Sequence, residues 1–159
     1  MKRNLIQTTF VSVLMAGMGS ALADTSLGFG ASYQFLTGNN NVNNTGLFVQ
    51  FDQSGLLVGS RLEAGIQQGN NPGFNLKAAV MAELPAALGL TLKFGAGPEV
   101  LRDTRNNSWA VSGYVFASPE FDLALGLSAF AELSYSKVLY AQVPTPDAFG
   151  VKAGVRFTF

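Results

Sequence analysis

Acid–base chemistry in this sequence would have to come from its carboxylates, and Glu63, Glu83 and Glu132 are the strongest candidates. Two such groups could serve as the general acid and the nucleophile or base of glycoside hydrolysis. The sequence contains no histidine, which excludes the usual histidine-dependent hydrolase designs, and no cysteine, so a zinc site is not expected. Each glutamate also has a lysine or arginine on the same alternating face. An ion-pair role is therefore favoured, and we expect no enzyme activity, cofactor or metal.

Two glycine-rich stretches, "GFGASY" at 28–33 and "GAGPEV" at 95–100, could be read as phosphate-binding loops. Neither has the full dinucleotide-binding spacing, and neither carries the lysine and hydroxyl residue of a nucleotide-binding loop. Small side chains that point into a narrow barrel account for both stretches better.

The start of the chain has the pattern of a secretory signal peptide. Lys2 and Arg3 supply the positive region, a short apolar core follows, and 21–23 is a small-x-small cleavage site. The apolar run is shorter than the roughly 20 residues that a membrane-spanning helix needs. We therefore predict a signal peptide over 1–23 and one folded domain over 24–159.

The rest of the chain is poor in charge and has no possible disulfide. Without Lys2 and Arg3 it keeps 10 − 2 = 8 basic residues against 10 acidic ones, a net charge of −2, so a nucleic-acid partner is not expected. Charged residues make up 13% of the sequence, against about 25% in ordinary soluble domains. Two main fold classes remain open, a compact soluble β domain and a transmembrane barrel, in which apolar residues occupy alternate positions.

Apolar residues recur at every second position, which is the period of a half-buried β-strand. The clearest case is 148–159, where Val151 and Phe157 alternate with Lys152 and Arg156. Several segments reach the ~9–11 residues that a tilted membrane-spanning strand requires. The predicted strands lie at about 26–36, 45–53, 56–67, 74–84, 88–98, 108–118, 122–136 and 148–159.

Connections of two kinds alternate along the chain. The predicted tight turns are 52–55, 85–87 and 118–122. The predicted longer, polar connections are 37–44, 67–73, 99–107 and 137–147. In an up-and-down barrel all the longer connections would fall at one end, which is typical of outer-membrane barrels with short periplasmic turns and longer external loops.

The signal peptide, the eight alternating segments, the loop asymmetry and the final "VRFTF" resemble the small outer-membrane barrels of the OmpA transmembrane domain and OmpX type. A fainter likeness to the YfaZ family of small porin-like proteins rests on "LPAALGLTLKFGAG" (84–97) and "VPTPDAFGVKAGVRFTF" (143–159). The resemblance implies an all-β fold, an eight-stranded antiparallel up-and-down transmembrane β-barrel, in the outer membrane of a Gram-negative cell.

The resemblance also implies partners. Outer-membrane lipid and lipopolysaccharide would surround the barrel, and the barrel-assembly machinery would insert it. The last strand of such proteins commonly ends in phenylalanine, which this machinery reads. Val155, Phe157 and Phe159 are the corresponding C-terminal assembly signal here.

The polar face of each strand would point inward in a membrane barrel and would carry nine charged residues into a narrow interior. These interior residues are Asp52, Arg61, Glu63, Lys77, Glu83, Lys93, Glu132, Lys152 and Arg156. A hairpin centred on residue 70 places Glu63 opposite Lys77, and one centred on 142 places Glu132 opposite Lys152. Because unpaired buried charges are costly, we predict these two ion pairs, with the other basic residues of the set linking them.

Two further surfaces are predicted at the ends of the barrel. Arg102 and Arg105 lie in the predicted connection 99–107 and could contact anionic lipopolysaccharide, against the alternative of a solvated loop. Aromatic residues near both ends are typical of the two girdles of an outer-membrane barrel. The predicted girdle residues are Trp109, Tyr135, Tyr140 and Phe149 on the long-loop side and Phe121, Phe157 and Phe159 on the other.

These patterns favour a monomeric protein with a structural, envelope-integrity or surface-interaction role. A small porin-like channel for small solutes is the first alternative, and a continuous hydrated path through the barrel would favour it. A soluble periplasmic lipocalin-like binder of an apolar ligand is the second, and an apolar interior cavity would favour that reading.

Overall fold

The computed structural model describes residues 24–37, 43–55, 57–86 and 89–159. The predicted signal peptide at 1–23 lies outside these described residues. The described part of the chain contains no helix of the length and hydropathy needed to cross a membrane.

Eight antiparallel strands form one closed sheet. Each strand pairs with its neighbour in sequence, and the first pairs with the last, which closes the barrel. The predicted all-β, up-and-down, eight-stranded barrel is thus confirmed. The strands are β1 (Asp24–Leu36), β2 (Asn43–Ser54), β3 (Val58–Gly69), β4 (Gly73–Pro85), β5 (Leu90–Asp103), β6 (Ser108–Ala124), β7 (Leu127–Ala141) and β8 (Ala148–Thr158).

The barrel has two distinguishable ends. At the loop end, Leu36 ends β1, Asn43 begins β2, and the connections 70–72, 104–107 and 142–147 join the other strands. At the turn end, Ser54 and Pro85 end β2 and β4, and the turn 125–126 lies with Asp24 and Phe159.

The predicted long connections are corrected to shorter ones, because the strands continue into polar sequence. β5 runs on to Asp103, and β7 runs on to Ala141, so five of the nine residues of 99–107 and five of the eleven residues of 137–147 are strand. The prediction equated polar residues with loops. Antiparallel hairpins, however, keep pairing their backbone groups beyond the apolar stretch, whatever the side chains are.

The predicted turn at 118–122 is wrong, since all five of its residues belong to β6. The actual turn is Leu125–Gly126, whose φ angles are 52° and 76°. Positive φ at both central residues is the requirement of a type I′ hairpin turn, and glycine meets it without strain. Proline suggests a strand end, but Pro119 stays in the sheet opposite Leu92.

The registers of two hairpins agree with the sequence-based prediction. Glu63 lies opposite Lys77 in the β3–β4 pair, and Glu132 lies opposite Lys152 in the β7–β8 pair. The β6–β7 pair is less regular, with shifts at Val111/Ser112 and at Asp122/Ala124. Bulges of this kind bend a strand and raise its local twist.

Side chains alternate strictly between the two faces of the barrel wall. On β2, Leu47 is 61% exposed, whereas Gln50 and Asp52 are fully buried. Polar and charged residues outnumber apolar ones among the buried side chains, while most large apolar residues lie on the outside. The molecule is therefore inverted relative to a water-soluble domain.

Candidate functional site

The interior of the barrel is a continuous lattice of ion pairs, and Asp52 lies at its centre. Asp52 on β2 faces Arg61 on β3 directly across the ladder. Arg61 Nε donates to Asp52 Oδ1 at 2.7 Å, and Arg61 Nη2 donates to Oδ2 at 2.8 Å. Arg156 Nη2 lies 3.0 Å and Lys93 Nζ lies 3.8 Å from the same Oδ2. One carboxylate is thus shared by three cations.

Lys152 joins the two predicted ion pairs. Its Nζ lies 2.7 Å from Glu132 Oε1 and 2.6 Å from Glu63 Oε2. Glu63 in turn lies 3.8 Å from Lys77, and Glu132 Oε2 accepts from Arg61 Nη1 at 2.6 Å. The lattice therefore runs without a break from β2 through β3 and β4 to β7 and β8.

Arg156 and Lys93 extend this lattice toward the turn end. Arg156 pairs with Glu120, and Lys93 Nζ lies 3.0 Å from the same carboxylate. Lys93 also lies 3.9 Å from Glu83. All nine charged residues predicted to face inward line the interior, and each has an oppositely charged partner within 4 Å.

Sequence reasoning missed two interior carboxylates, Glu99 and Glu120. Glu99 accepts from Asn75 at 3.0 Å and from Ser136 at 2.6 Å, and it lies 3.3 Å from Lys77. Both glutamates directly follow a proline, and both fall in segments predicted as connections, 99–107 and 118–122. The two-residue alternation could have identified both glutamates, because each occupies an inward-facing position of its strand.

The interior charges nearly balance once these residues are included. The described lattice contains five cations and six carboxylates, a difference of one charge. Charges taken out of water need oppositely charged partners, and this arrangement supplies one to every lattice residue, although Lys77 Nζ and Arg156 Nε have no hydrogen-bond partner among the described residues. Of the three candidates for glycoside chemistry, Glu63 and Glu132 are both held by Lys152 instead of facing an open cleft, and Glu83 lies beside Lys93.

Aromatic rings fill the space between the ions. Phe48 is an apolar residue at an inward-facing position of β2, and its ring centre lies 6.0 Å from that of Phe130. Arg156 lies 4.7 Å above the Phe130 ring, and Lys152 lies 5.3 Å above that of Phe48. Cations attract the faces of such rings, so the rings add contacts as well as volume.

A second group of rings lies closer to the loop end. Tyr114 stacks on Phe116 at 5.9 Å, and Arg61 lies 4.3 Å above the Phe116 ring. Met81 packs with them in a small buried cluster. The interior is thus polar and filled, the reverse of the apolar cavity that a lipocalin-like binder would need.

Arg102 lies on the outer face of the loop end, between two aromatic side chains. It belongs to β5 and stands directly opposite Phe74 on one side and Trp109 on the other. Its guanidinium carbon lies 4.9 Å from the Trp109 ring centre. Arg105 is exposed in the connection 104–107. Arg105 thus lies in a connection, as predicted, whereas Arg102 belongs to the barrel wall and not to a loop.

The connection 142–147 is fastened to the barrel through Asp147. Its carboxylate accepts from the Val138 amide at 2.8 Å and from the Tyr135 hydroxyl at 2.9 Å. The hydrogen bond from the Val138 amide is the largest of the effects that hold the pKa of the Asp147 carboxyl below its ordinary value of 3.8. The Asp147 carbonyl also accepts from the Thr37 amide at 2.8 Å. This connection is thus held at a defined place beside the opening of the barrel.

The residues of the predicted assembly signal lie at the turn end of the outer wall. Phe157 and Phe159 are 50% and 69% exposed, and their ring centres are 6.4 Å apart. The Phe159 amide donates to the Thr25 carbonyl at 2.9 Å. Val155 faces outward from β8, opposite Phe29 of β1.

Comparison with known proteins relates the chain to solved structures only. No family model matches it. No curated protein matches it either. The likeness to the YfaZ family therefore stays a prediction.

Three solved structures share the architecture over most of this chain. Neisserial surface protein A superposes with a TM-score of 0.68 at 10% identity, over 85% of this chain and 97% of that one. The N-terminal β-barrel domain of Pseudomonas aeruginosa OprF gives 0.63 at 16% identity, over 86% and 99%. The fold is that of a small outer-membrane β-barrel.

Ail, the attachment invasion locus protein of Yersinia pestis, is the third. Its structure in complex with the heparin analogue sucrose octasulfate superposes with a TM-score of 0.60 at 13% identity, over 86% of this chain and 99% of that one. At sequence identities this low, the similarity is one of fold alone.

Proposed function

We propose that this protein spans the bacterial outer membrane as a filled, monomeric barrel with a structural, envelope-integrity or surface-interaction role. The observation that carries the proposal is the inversion of the barrel wall. Leu47 and Leu133 are 61% and 64% exposed at mid-height, while Arg61 and Lys152 are buried in the interior. Hydrocarbon is the solvent that suits such an outer wall, and a closed barrel leaves no strand edge unpaired within it.

The charges outside the ion lattice support one orientation of the barrel in the membrane. Outside the lattice, the described residues include three cations, Arg102, Arg105 and Lys137, all of them on the loop-end half. Asp103 and Asp147 also lie on the loop-end half, which therefore has a net charge of 3 − 2 = +1, whereas Asp24 and Asp122 give the turn end a charge of −2. We assign the loop end to the cell exterior, where lipopolysaccharide carries phosphate groups.

Arg102 and Arg105 are the proposed contacts to those phosphates. Trp109 and Phe74 hold the Arg102 side chain at the rim of the apolar wall, the depth at which lipid headgroups begin. Arginine is well suited to this contact because its planar guanidinium can bind phosphate oxygens in pairs.

Val155, Phe157 and Phe159 are the proposed assembly signal. The resemblance to small outer-membrane barrels suggests this role. The exposure of both phenylalanine rings on the outer wall supports it, since a docking protein can reach them.

The filled interior distinguishes the proposed role from the porin-like alternative. Two aromatic clusters and a continuous ion lattice occupy the middle of the barrel, with no side chain in the lattice lacking a charged partner. A conducting path would require several of these pairs to separate together, and separating buried ion pairs is costly.

Single-channel recording in planar bilayers tests this role. We expect the reconstituted full chain to give no sustained conductance. The double variant Phe48→Ala with Phe130→Ala removes one of the ring pairs and serves as the control, which should conduct more than the parent. Sustained openings of the unmodified protein would support the porin-like channel instead.

A further inference from the structure

The sequences that join the strands at the turn end contain only glycine, alanine and leucine. They read "GLL" at 55–57, "AALG" at 86–89 and "LG" at 125–126. Each sequence that joins two strands at the loop end, in contrast, includes an asparagine or an aspartate. Turns that face water are usually rich in asparagine, aspartate and serine as well as glycine and proline. The composition of the turn end is therefore unusual for a surface in contact with water.

The described residues in and beside these turns form an exposed apolar collar. Leu125 is 96% exposed, and Leu57 is 63% exposed. The members of the collar come from the β2–β3, β4–β5 and β6–β7 hairpins, so they are spread around the closed sheet. A protein partner would cover one sector of such a ring, whereas lipid would surround all of it. The collar consists of Leu57, Val58, Leu84, Ala86, Leu123 and Leu125.

Leu125 occupies a backbone position that sterically favours another residue. Its φ is 52°, and the first central residue of a type I′ turn is usually asparagine, aspartate or glycine. In this conformation the Cβ of a leucine crowds the backbone. Because the side chain is almost fully exposed, contacts within the barrel do little to offset this cost. Apolar surroundings outside the protein would favour leucine at this position.

Backbone groups of the turns are bonded to neighbouring strands. The Gly126 carbonyl accepts from the Thr158 amide at 2.8 Å. The Gly89 carbonyl accepts from the Asp122 amide at 2.8 Å, and the Leu57 carbonyl accepts from an amide of β4 at 3.2 Å. Hydrocarbon offers no hydrogen bonds, so backbone placed in it must be paired within the protein. These bonds meet part of that requirement in all three hairpins.

Two acidic side chains near this end, Asp24 and Asp122, lie on the polar face of the sheet. Asp24 stands opposite Ser54, whose hydroxyl donates to the interior Glu83. Asp122 stands opposite Ser128, which is buried. Directly opposed residues share a face of the sheet. Both carboxylates therefore belong to the inside of the barrel mouth, and the collar around it is uncharged.

We propose that the apolar collar is embedded in the acyl-chain layer of the leaflet that meets the turn end. The collar continues the apolar outer wall, and lipid acyl chains are the partner that covers both. The barrel is thus set asymmetrically in the bilayer, with its tight turns immersed in lipid and its polar loop end in water. This inference deepens the proposed membrane role and rests on it.

Fluorescence quenching in lipid vesicles tests this placement. The full chain contains no cysteine, so Leu125→Cys and Leu57→Cys each accept a single bimane label. Leu133→Cys on the outer wall is the lipid-exposed control, and Asn106→Cys in an exposed connection is the water-exposed control. Each variant is reconstituted into phosphatidylcholine vesicles. The quencher is either bromine on the acyl chains or acrylamide dissolved on both sides of the membrane.

We expect the labels at positions 125 and 57 to lose fluorescence to brominated chains, as the label at position 133 does. Acrylamide should quench the label at position 106 and leave both collar labels nearly unchanged. The two collar positions lie on opposite sides of the closed sheet, so agreement between them tests the whole ring. Leu123→Cys takes the place of Leu125→Cys if that variant does not fold.

Three results would overturn the inference. Quenching of either collar label by acrylamide, while brominated chains still quench the label at position 133, would place that turn in water and leave the membrane role intact. Protection of either collar label from both quenchers would mean that a second copy of the chain covers the turn. Failure of brominated chains to quench the label at position 133 would contradict the membrane role itself, and this inference with it.

Discussion

At the scale of single residues, Lys152 connects the barrel interior. Its ammonium group lies within 2.8 Å of three carboxylate oxygens, two of Glu63 and one of Glu132. In this position, the single positive charge of Lys152 is attracted to two buried carboxylates at once. Removing it would leave Glu63 with the more distant Lys77 as its only cation and with the Gln50 amide, and would leave Glu132 with Arg61 as its only cation.

We predict that Lys152→Met destabilises the folded barrel by about 3–5 kcal/mol, because removing one partner of an ion pair leaves a buried charge uncompensated. Urea unfolding from lipid vesicles, followed by the fluorescence of Trp109, measures the free energy of unfolding. Lys137→Met is the matched control and should stay within about 0.5 kcal/mol, because Lys137 is exposed.

Adding Glu132→Gln to Lys152→Met should recover part of the lost stability, because it removes one of the two buried carboxylate charges that had been paired with Lys152. A loss of less than about 1 kcal/mol in the Lys152→Met variant would contradict the account. It would mean that water screens the interior charges enough to make the ion pairs dispensable.

The inward charges were largely predictable from the sequence, because alternation assigns a face to every residue of a strand. That reasoning gave the opposed positions of Glu63 with Lys77 and of Glu132 with Lys152. It could not give contacts across the barrel, such as Arg61 with Glu132, because these depend on how a closed sheet brings distant strands together.

At the scale of elements, most of the strands are longer than the membrane requires. They span 11 to 17 residues, whereas a tilted strand needs ~9–11 residues to cross the hydrocarbon layer. The additional residues lie mainly in polar sequence at the loop end. Strand boundaries were therefore the least predictable feature of the fold, because backbone pairing continues where side-chain alternation no longer marks it.

The depth of a residue on the outer wall should set the cost of placing a charge there. Leu133 lies midway along β7, opposite Val151 and Ala117. We predict that Leu133→Arg destabilises the barrel in lipid by about 2–4 kcal/mol, the cost of an arginine at the bilayer midplane.

Leu139→Arg is the matched control on the same strand. Leu139 is 69% exposed and lies near the loop end, so its replacement should cost only about 0–1 kcal/mol. Equal effects of the two substitutions in vesicle unfolding would argue against a lipid environment for this wall.

At the scale of the whole molecule, the ion lattice lies inside the barrel and most large apolar residues lie outside, the reverse of a water-soluble domain. In water, the exposed wall would present a continuous apolar surface far larger than soluble monomers tolerate. In a bilayer, the same wall is solvated by lipid, and the closed sheet satisfies its own backbone hydrogen bonds.

Membrane fractionation combined with gel mobility tests this claim most directly. After expression of the full chain in a Gram-negative host, we predict that the protein appears in the outer-membrane fraction and needs detergent for extraction. The unheated sample should migrate faster than the boiled one, because the closed barrel resists unfolding by the gel detergent. Recovery in the soluble periplasmic fraction, with the same mobility before and after boiling, would contradict the account.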